Sequence, residues 1–186
     1  MASGRARGNA LAVGRVTKDA GVNRFVWDVR HSSALAVPPG AYQARLKVGA
    51  TTETQPFTVR IDPNVAADGT TAADLKEQFE HNMRTRDLVT GVTQVVARVR
   101  EAQTKLKGAT GADTDRAKQL DAIAAKLLAE PVRYGKPGLQ DHIRYLAGMT
   151  TRVDQKVGRD ALERYQVLKK ELDVIRAEVD RVLGAS

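Results

Sequence analysis

The sequence predicts an α+β chain: a small antiparallel, partial immunoglobulin-like β domain followed by an antiparallel helical bundle. Three observations predict it. Four of the eight aromatic residues (Phe25, Trp27, Tyr42, Phe57) fall within the first 62 of 186 residues. Apolar residues there alternate with polar ones, at the period of a half-buried strand. Beyond Asp62-Pro63 the apolar residues recur at three- and four-residue steps, the period of a helix packed on one face.

In chain order, residues 1–10 are rich in Gly, Ser, Ala and Arg, which predicts an unfolded start, and residues 11–16 offer a poorly alternating first strand. Phe25, Trp27 and Val29 share one face of an extended segment, with Arg24, Asp28 and Arg30 on the other. Pro38-Pro39-Gly40 is a turn signal. After it Tyr42, Ala44, Leu46 and Val48 alternate with Gln43, Arg45 and Lys47, and a turn near Gly49 to Thr52 leads to Phe57, Val59 and Ile61. The predicted β domain therefore spans 11–63, with Phe25, Trp27, Val29, Tyr42, Leu46 and Phe57 as its core. A full immunoglobulin-like sandwich uses about seven strands, so this one reads as truncated at its amino end; the alternative is a small α+β domain complete in itself, its short apolar faces covered by the helices.

The helical domain is expected over 70–184. Thr71 with Asp74 resembles a capping box. Leu75, Phe79, Met83, Val89, Val92, Val96, Val99 and Leu106 then form one stripe, with Phe79 as a core residue, and a helix over 72–106 would be about 50 Å long. A second helix follows Asp113-Thr114, both aspartates at 113 and 115 reading as caps. The stretch Tyr134-Gly135-Lys136-Pro137-Gly138 is a connector, and helices over 138–151 and 158–183 follow, with stripes suited to coiled-coil-like packing.

Formal net charge is +8, divided as +5 over residues 1–62 and +3 over 63–186. Neither part is a dense cationic block, and the helical charges alternate in sign as on solvated faces. Weak, non-specific nucleic-acid binding is the most this pattern supports. Without cysteine the chain has no disulfide, thiolate nucleophile or thiolate metal site. No stretch predicts a membrane span or a secretory signal.

No catalytic constellation is visible. His31, His81 and His142 are scattered, without the H-E-x-x-H spacing that places two imidazoles on one helical face. No phosphate loop, nucleophile elbow or dinucleotide fingerprint occurs, so no cofactor or metal is expected. Trp27 offers an indole face to a ligand, yet its alternation with Phe25 and Val29 favours packing. Arg86 lies between Met83 and Val89 on the apolar side of the long helix, where it reads less as an anion contact than as a side chain that snorkels or pairs with a nearby carboxylate. Arg133, Tyr134 and Lys136 mark the connector as a candidate contact loop.

The run from Ala20 through Asn23-Arg24-Phe25-Val26-Trp27-Asp28-Val29-Arg30, then Pro39-Gly40-Ala41-Tyr42, then Gln55-Pro56-Phe57-Thr58-Val59-Arg60-Ile61-Asp62-Pro63, resembles the carboxyl-terminal region of bacterial sortilin-like, neuraminidase-repeat β-propeller proteins often labelled glycosyl hydrolases. The β part is also similar to the immunoglobulin-like domain of flagellar hook-capping proteins. Asp74-Leu75-Lys76-Glu77-Gln78-Phe79, Arg86-Asp87 and Leu146-Ala147-Gly148-Met149 extend the likeness over about 18–183. The resemblance implies an exported parent protein, with strands, signal and propeller lying upstream of Met1 and this chain as its carboxyl-terminal module. It implies no glycosidase activity here, because catalysis would belong to the propellers and the carboxylates present are spread over helix faces. The expectation is a non-catalytic structural and interaction module, partnered by an upstream propeller or a second copy. A basic polyanion-binding protein is the alternative.

Overall fold

The computed structural model describes residues 17, 19–108 and 110–184, and over these the chain is a mixed α+β protein. Its order is β1 (Gly40–Val48), β2 (Thr51–Val59), α1 (Pro63–Ala67), α2 (Ala72–Lys105), α3 (Ala112–Leu127), α4 (Leu139–Met149) and α5 (Arg159–Leu183). The unfolded start expected at 1–10 and the strand expected at 11–16 lie outside the described residues. The chain divides into two compact units: residues up to Glu80 with Val153–Lys156, and His81–Arg152 with the chain from Val157 onward. The division falls inside α2, past the change of period at Pro63 on which the sequence reading placed its boundary.

In the first unit β1 and β2 form a two-stranded antiparallel hairpin, Val48 facing Thr51 and Gly40 facing Val59. Gly49 opens the two-residue turn at φ +59, a left-handed conformation that costs glycine nothing. No third strand joins them among the described residues.

The segment around Trp27, expected to pair as a strand, does not. Asp28 Oδ1 accepts from the Arg30 amide at 3.1 Å, an aspartate-type turn, and Val29 adopts φ 58. The chain folds back there: His31 N donates to Leu35 O and Val37 N to Val29 O, leaving a single bridge between Arg30 and Ala36. His31 in this loop meets the Phe79 ring edge to face at 5.6 Å.

Asp62 caps α1 by accepting from Asn64 N at 2.8 Å, with Pro63 in the first turn, where no amide is needed. The Thr71–Asp74 box forms reciprocally: Thr71 N donates to Asp74 Oδ2 at 2.9 Å and Asp74 N to Thr71 Oγ1 at 3.1 Å. The Thr71 hydroxyl first and its amide second, both donating to Asp74 Oδ2, hold the Asp74 carboxyl below its ordinary range, with a smaller contribution from the Lys156 charge. Further along α2, Gln78 donates to Val153 O at 2.7 Å and accepts from Gln155 N at 3.3 Å.

The second unit holds the core. Leu88, Val92, Val95 and Val99 of α2 meet Leu120, Ile123 and Leu127 of α3, Leu139, Ile143 and Leu146 of α4, and Leu168, Leu172, Ile175 and Val179 of α5. Each fully buried leucine is worth about 1.5–3 kcal/mol relative to exposure, so this shared face, rather than helix propensity, holds the unit together. Asn82, buried on α2, ties the end of α4 through paired bonds with Thr150, Nδ2 to O at 2.9 Å and Oγ1 to Oδ1 at 2.6 Å. Arg98–Asp180 and Lys126–Glu178, each at 2.8 Å, link α5 to α2 and to α3 at the rim.

Gly138 precedes α4 where a Cβ would stand 2.4 Å from the Leu128 carbonyl carbon, so only glycine admits this approach to the end of α3. Asp141 accepts from its amide at 3.1 Å. At α3 the expected aspartate caps are replaced: Gly111 is the N-cap without a side-chain bond, while Asp113 and Asp115 pair with Arg116 and Lys118. Acidic residues in a first turn complement the helix dipole without capping it.

Candidate functional site

The first unit carries the feature with the clearest capacity to act. Tyr42, Ala44, Leu46 and Val48 of β1 share a face with Phe57 and Val59 of β2, because the register sets Tyr42 opposite Phe57 and side chains alternate along each strand; toward the turn the β2 side of that face is polar, with Gln55, Glu53 and Thr51 opposite Ala44, Leu46 and Val48. Trp27 covers the base of that face, its ring 5.6 Å from Tyr42 and 5.8 Å from Phe57, and Tyr42 stacks on Phe57 at 5.9 Å. Backbone carbonyls hold the cluster: Trp27 Nε1 donates to Arg30 O at 2.8 Å and the Tyr42 hydroxyl to Pro38 O at 2.6 Å. Partial burial raises the Tyr42 phenol above its ordinary range.

Above the aromatic base the face is bare. Leu46 is 48% exposed and Val48 63%, while Phe57, Phe25 and Val29 stand at 38, 44 and 40%. Of the expected β core, only Trp27 and Tyr42 are half-buried within the hairpin region; Phe79, also half-buried, packs on His31 instead. The alternation names a face correctly, but nothing among the described residues covers its outer end. On the opposite face Arg45 and Lys47 lie beside Thr52 and Thr54, exposed and without an ion pair among the described residues.

In the second unit Arg133, Tyr134 and Lys136 share one loop. Glu130 N donates to Lys136 O, and Lys136 N to Glu130 Oε2, closing it. The Arg133 guanidinium lies 5.1 Å from the Tyr134 ring centre, and Tyr134 is 91% exposed at φ 61, an uncommon conformation for a bulky residue. Arg86 does not join them. Its side chain is half-exposed on α2, with Asp87 3.9 Å away, so it is a surface group rather than one set into the apolar side.

The histidines stay on separate elements. His31 Nδ1 meets Ser33 Oγ at 2.7 Å; His81 is wholly buried on α2, edge to face with Tyr165 at 6.0 Å; His142 is half-buried on α4. Among the described residues no group of three or more histidine and carboxylate side chains is placed to hold a metal ion, and no helix is long and apolar enough to cross a membrane. An open depression on α5, lined by Gln166, Lys169, Lys170, Asp173, Val174 and Ala177, occupies one helix surface and lacks convergent walls.

Sequence reasoning passed over Gln78, Asn82 and Thr85, polar residues buried on the stripe of α2. Their helical spacing among apolar neighbours was the available signal. No family model matches the chain, and neither the curated proteins nor the solved structures include a match.

Proposed function

We propose that this chain is a non-catalytic structural and interaction module, in which a partial immunoglobulin-like β unit and an antiparallel helical bundle support an upstream β-propeller or an oligomer contact. The observation that carries this reading is the bare hairpin. A two-stranded hairpin is at best marginally stable in water and gains independent stability from a third strand or a covering helix. Here nine-residue strands expose nearly every position, apolar ones included. The helical unit, by contrast, fills its own core.

The resemblance to sortilin-like propeller proteins supports the same reading and names an upstream propeller as the natural neighbour. The polyanion-binding alternative has less support, because many cations of the helices are committed to carboxylates, among them Arg98, Lys126, Arg159 and Lys169.

Extending the reading frame upstream of the Met1 codon tests the proposal. We expect in-frame β-propeller sequence, and slower amide exchange in the hairpin of the joined chain. A stop codon directly upstream, together with a strictly monomeric chain whose hairpin amides are as protected as the helical core, would overturn it.

A further inference from the structure

Resting on the interaction-module reading, we infer that the outer edge of β1 accepts an extended partner strand whose side chains alternate apolar and acidic. The hairpin's hydrogen bonding identifies the edge. A two-residue turn is closed by a doubly bonded pair, here Val48 and Thr51, and bonded and non-bonded pairs then alternate down the ladder. Leu46, Ala44 and Tyr42 thus turn their amides and carbonyls toward β2. Ala41, Gln43, Arg45 and Lys47 turn theirs outward, and none of them meets a backbone partner among the described residues.

The two edges are not equivalent. On β2 the outward set is Thr52, Thr54, Pro56 and Thr58, and Pro56 brings no N–H to the middle of it. A proline at such a position is a usual guard against strand addition. The β1 edge has no proline and every outward residue on it keeps its donor.

Side-chain chemistry then selects the occupant. A strand laid on β1 places alternate side chains on opposite faces. Those beside Leu46 and Val48 would cover apolar surface that is 48% and 63% exposed. Those on the other face would stand beside Arg45 and Lys47, which lack carboxylate partners among the described residues. A second copy paired β1 to β1 would instead gather both copies' Arg45 and Lys47 on one face, an unfavourable meeting of like charges.

The experiment titrates the intact chain with an end-capped peptide of alternating valine and glutamate, and separately with its valine–lysine counterpart, by anisotropy and amide NMR. The valine–glutamate peptide should bind about tenfold more tightly than the lysine peptide, slowing exchange at Ala41, Gln43, Arg45 and Lys47. In the double variant Arg45→Glu/Lys47→Glu that preference should be lost or reversed with the hairpin resonances retained. Gln43→Pro, which removes an outward donor, should weaken binding, and the charge-reversal variant reads the same edge if the proline disturbs the hairpin. No binding, equal affinity for both peptides, protection on β2 or the helices, or dimerisation that protects β1 without peptide would overturn the inference. If the peptide fails while upstream extension still protects the hairpin, the acidic-strand inference alone is rejected; if both fail, the module reading falls too.

Discussion

Leu172 and Leu46 are the same side chain in opposite circumstances. Leu172 on α5 is wholly buried among the side chains of the helical core, and Leu46 on β1 is 48% exposed on a face that ends in solvent. Both sit in sequence patterns that alternate correctly for their element. A helical stripe finds three other stripes within the chain to bury it, whereas a strand's apolar face needs a second layer, and here the only cover described is Trp27 at its base. Pattern states which face seeks burial, and the number of partners decides whether it is satisfied.

The largest expected effect lies on the satisfied side. Leu172→Ala should cost about 2–5 kcal/mol, the range for leucine cavities in packed cores, read as a fall in the urea midpoint, while Leu46→Ala should stay within about 0.5 kcal/mol, as surface substitutions do. Equal losses would break the comparison. Next, Asn82→Ala removes the paired bonds to Thr150 and should cost about 1–3 kcal/mol by the same measurement.

Trp27→Ala should act locally. It removes two ring contacts, together worth about 1–3 kcal/mol, so the Tyr42 and Phe57 resonances should broaden or shift while the melting of the helical unit stays in place. A global loss of fold would mean that the aromatic cluster supports both units.

The smallest effect is at the start of α2. Because the Thr71 bonds depress the Asp74 carboxyl, they contribute stability that is present above its unfolded pKa and lost as pH falls through the lower folded value. Acid titration of helix content should show this loss below the ordinary carboxylate range, and Thr71→Val should move the Asp74 titration upward toward that range. Tyr42 works in the opposite direction: its raised phenol favours the folded hairpin below the unfolded tyrosine pKa, and that contribution disappears as alkali carries pH through the folded value.

The four long helices, α2 to α5, were legible because several signals agreed on each, whereas the short α1 at Pro63–Ala67 was not expected, being too brief to show an apolar stripe. The stripe from Leu75 to Leu106, the Thr71–Asp74 box and Gly108 bracket α2 closely, and Pro131 stands just beyond the end of α3. Of the hairpin, β1 was legible from Pro39-Gly40 and the alternation of Tyr42, Ala44, Leu46 and Val48, and the turn from Gly49; the polar run Thr51 to Gln55 that opens β2 was not, because it carries no alternation, and Ile61 falls beyond the strand's end. Phe25-Val26-Trp27-Asp28-Val29 alternates as well, yet forms no strand, because the Asp28 side chain captures the Arg30 amide and Val29 turns left-handed. Alternation does not register that competition between side chain and ladder. Gln78 and Asn82 were missed for a related reason: a search for apolar periodicity skips polar residues on the buried face, although their carboxamides hold the chain at Thr150 to Gln155. Of the candidate contact residues, Arg133, Tyr134 and Lys136 meet in one loop because Glu130 closes it, a bond that spacing alone does not reveal.

Amide hydrogen exchange on the intact chain tests the central contrast most directly. The account predicts rapid exchange at Ala41, Gln43, Arg45 and Lys47, whose amides face outward, and slow exchange, approaching that of global unfolding, through Leu88–Val99 and Leu168–Val179. Equal protection of the β1 edge and the helical core in the unpartnered monomer would contradict it, since the hairpin would then be complete without a partner strand.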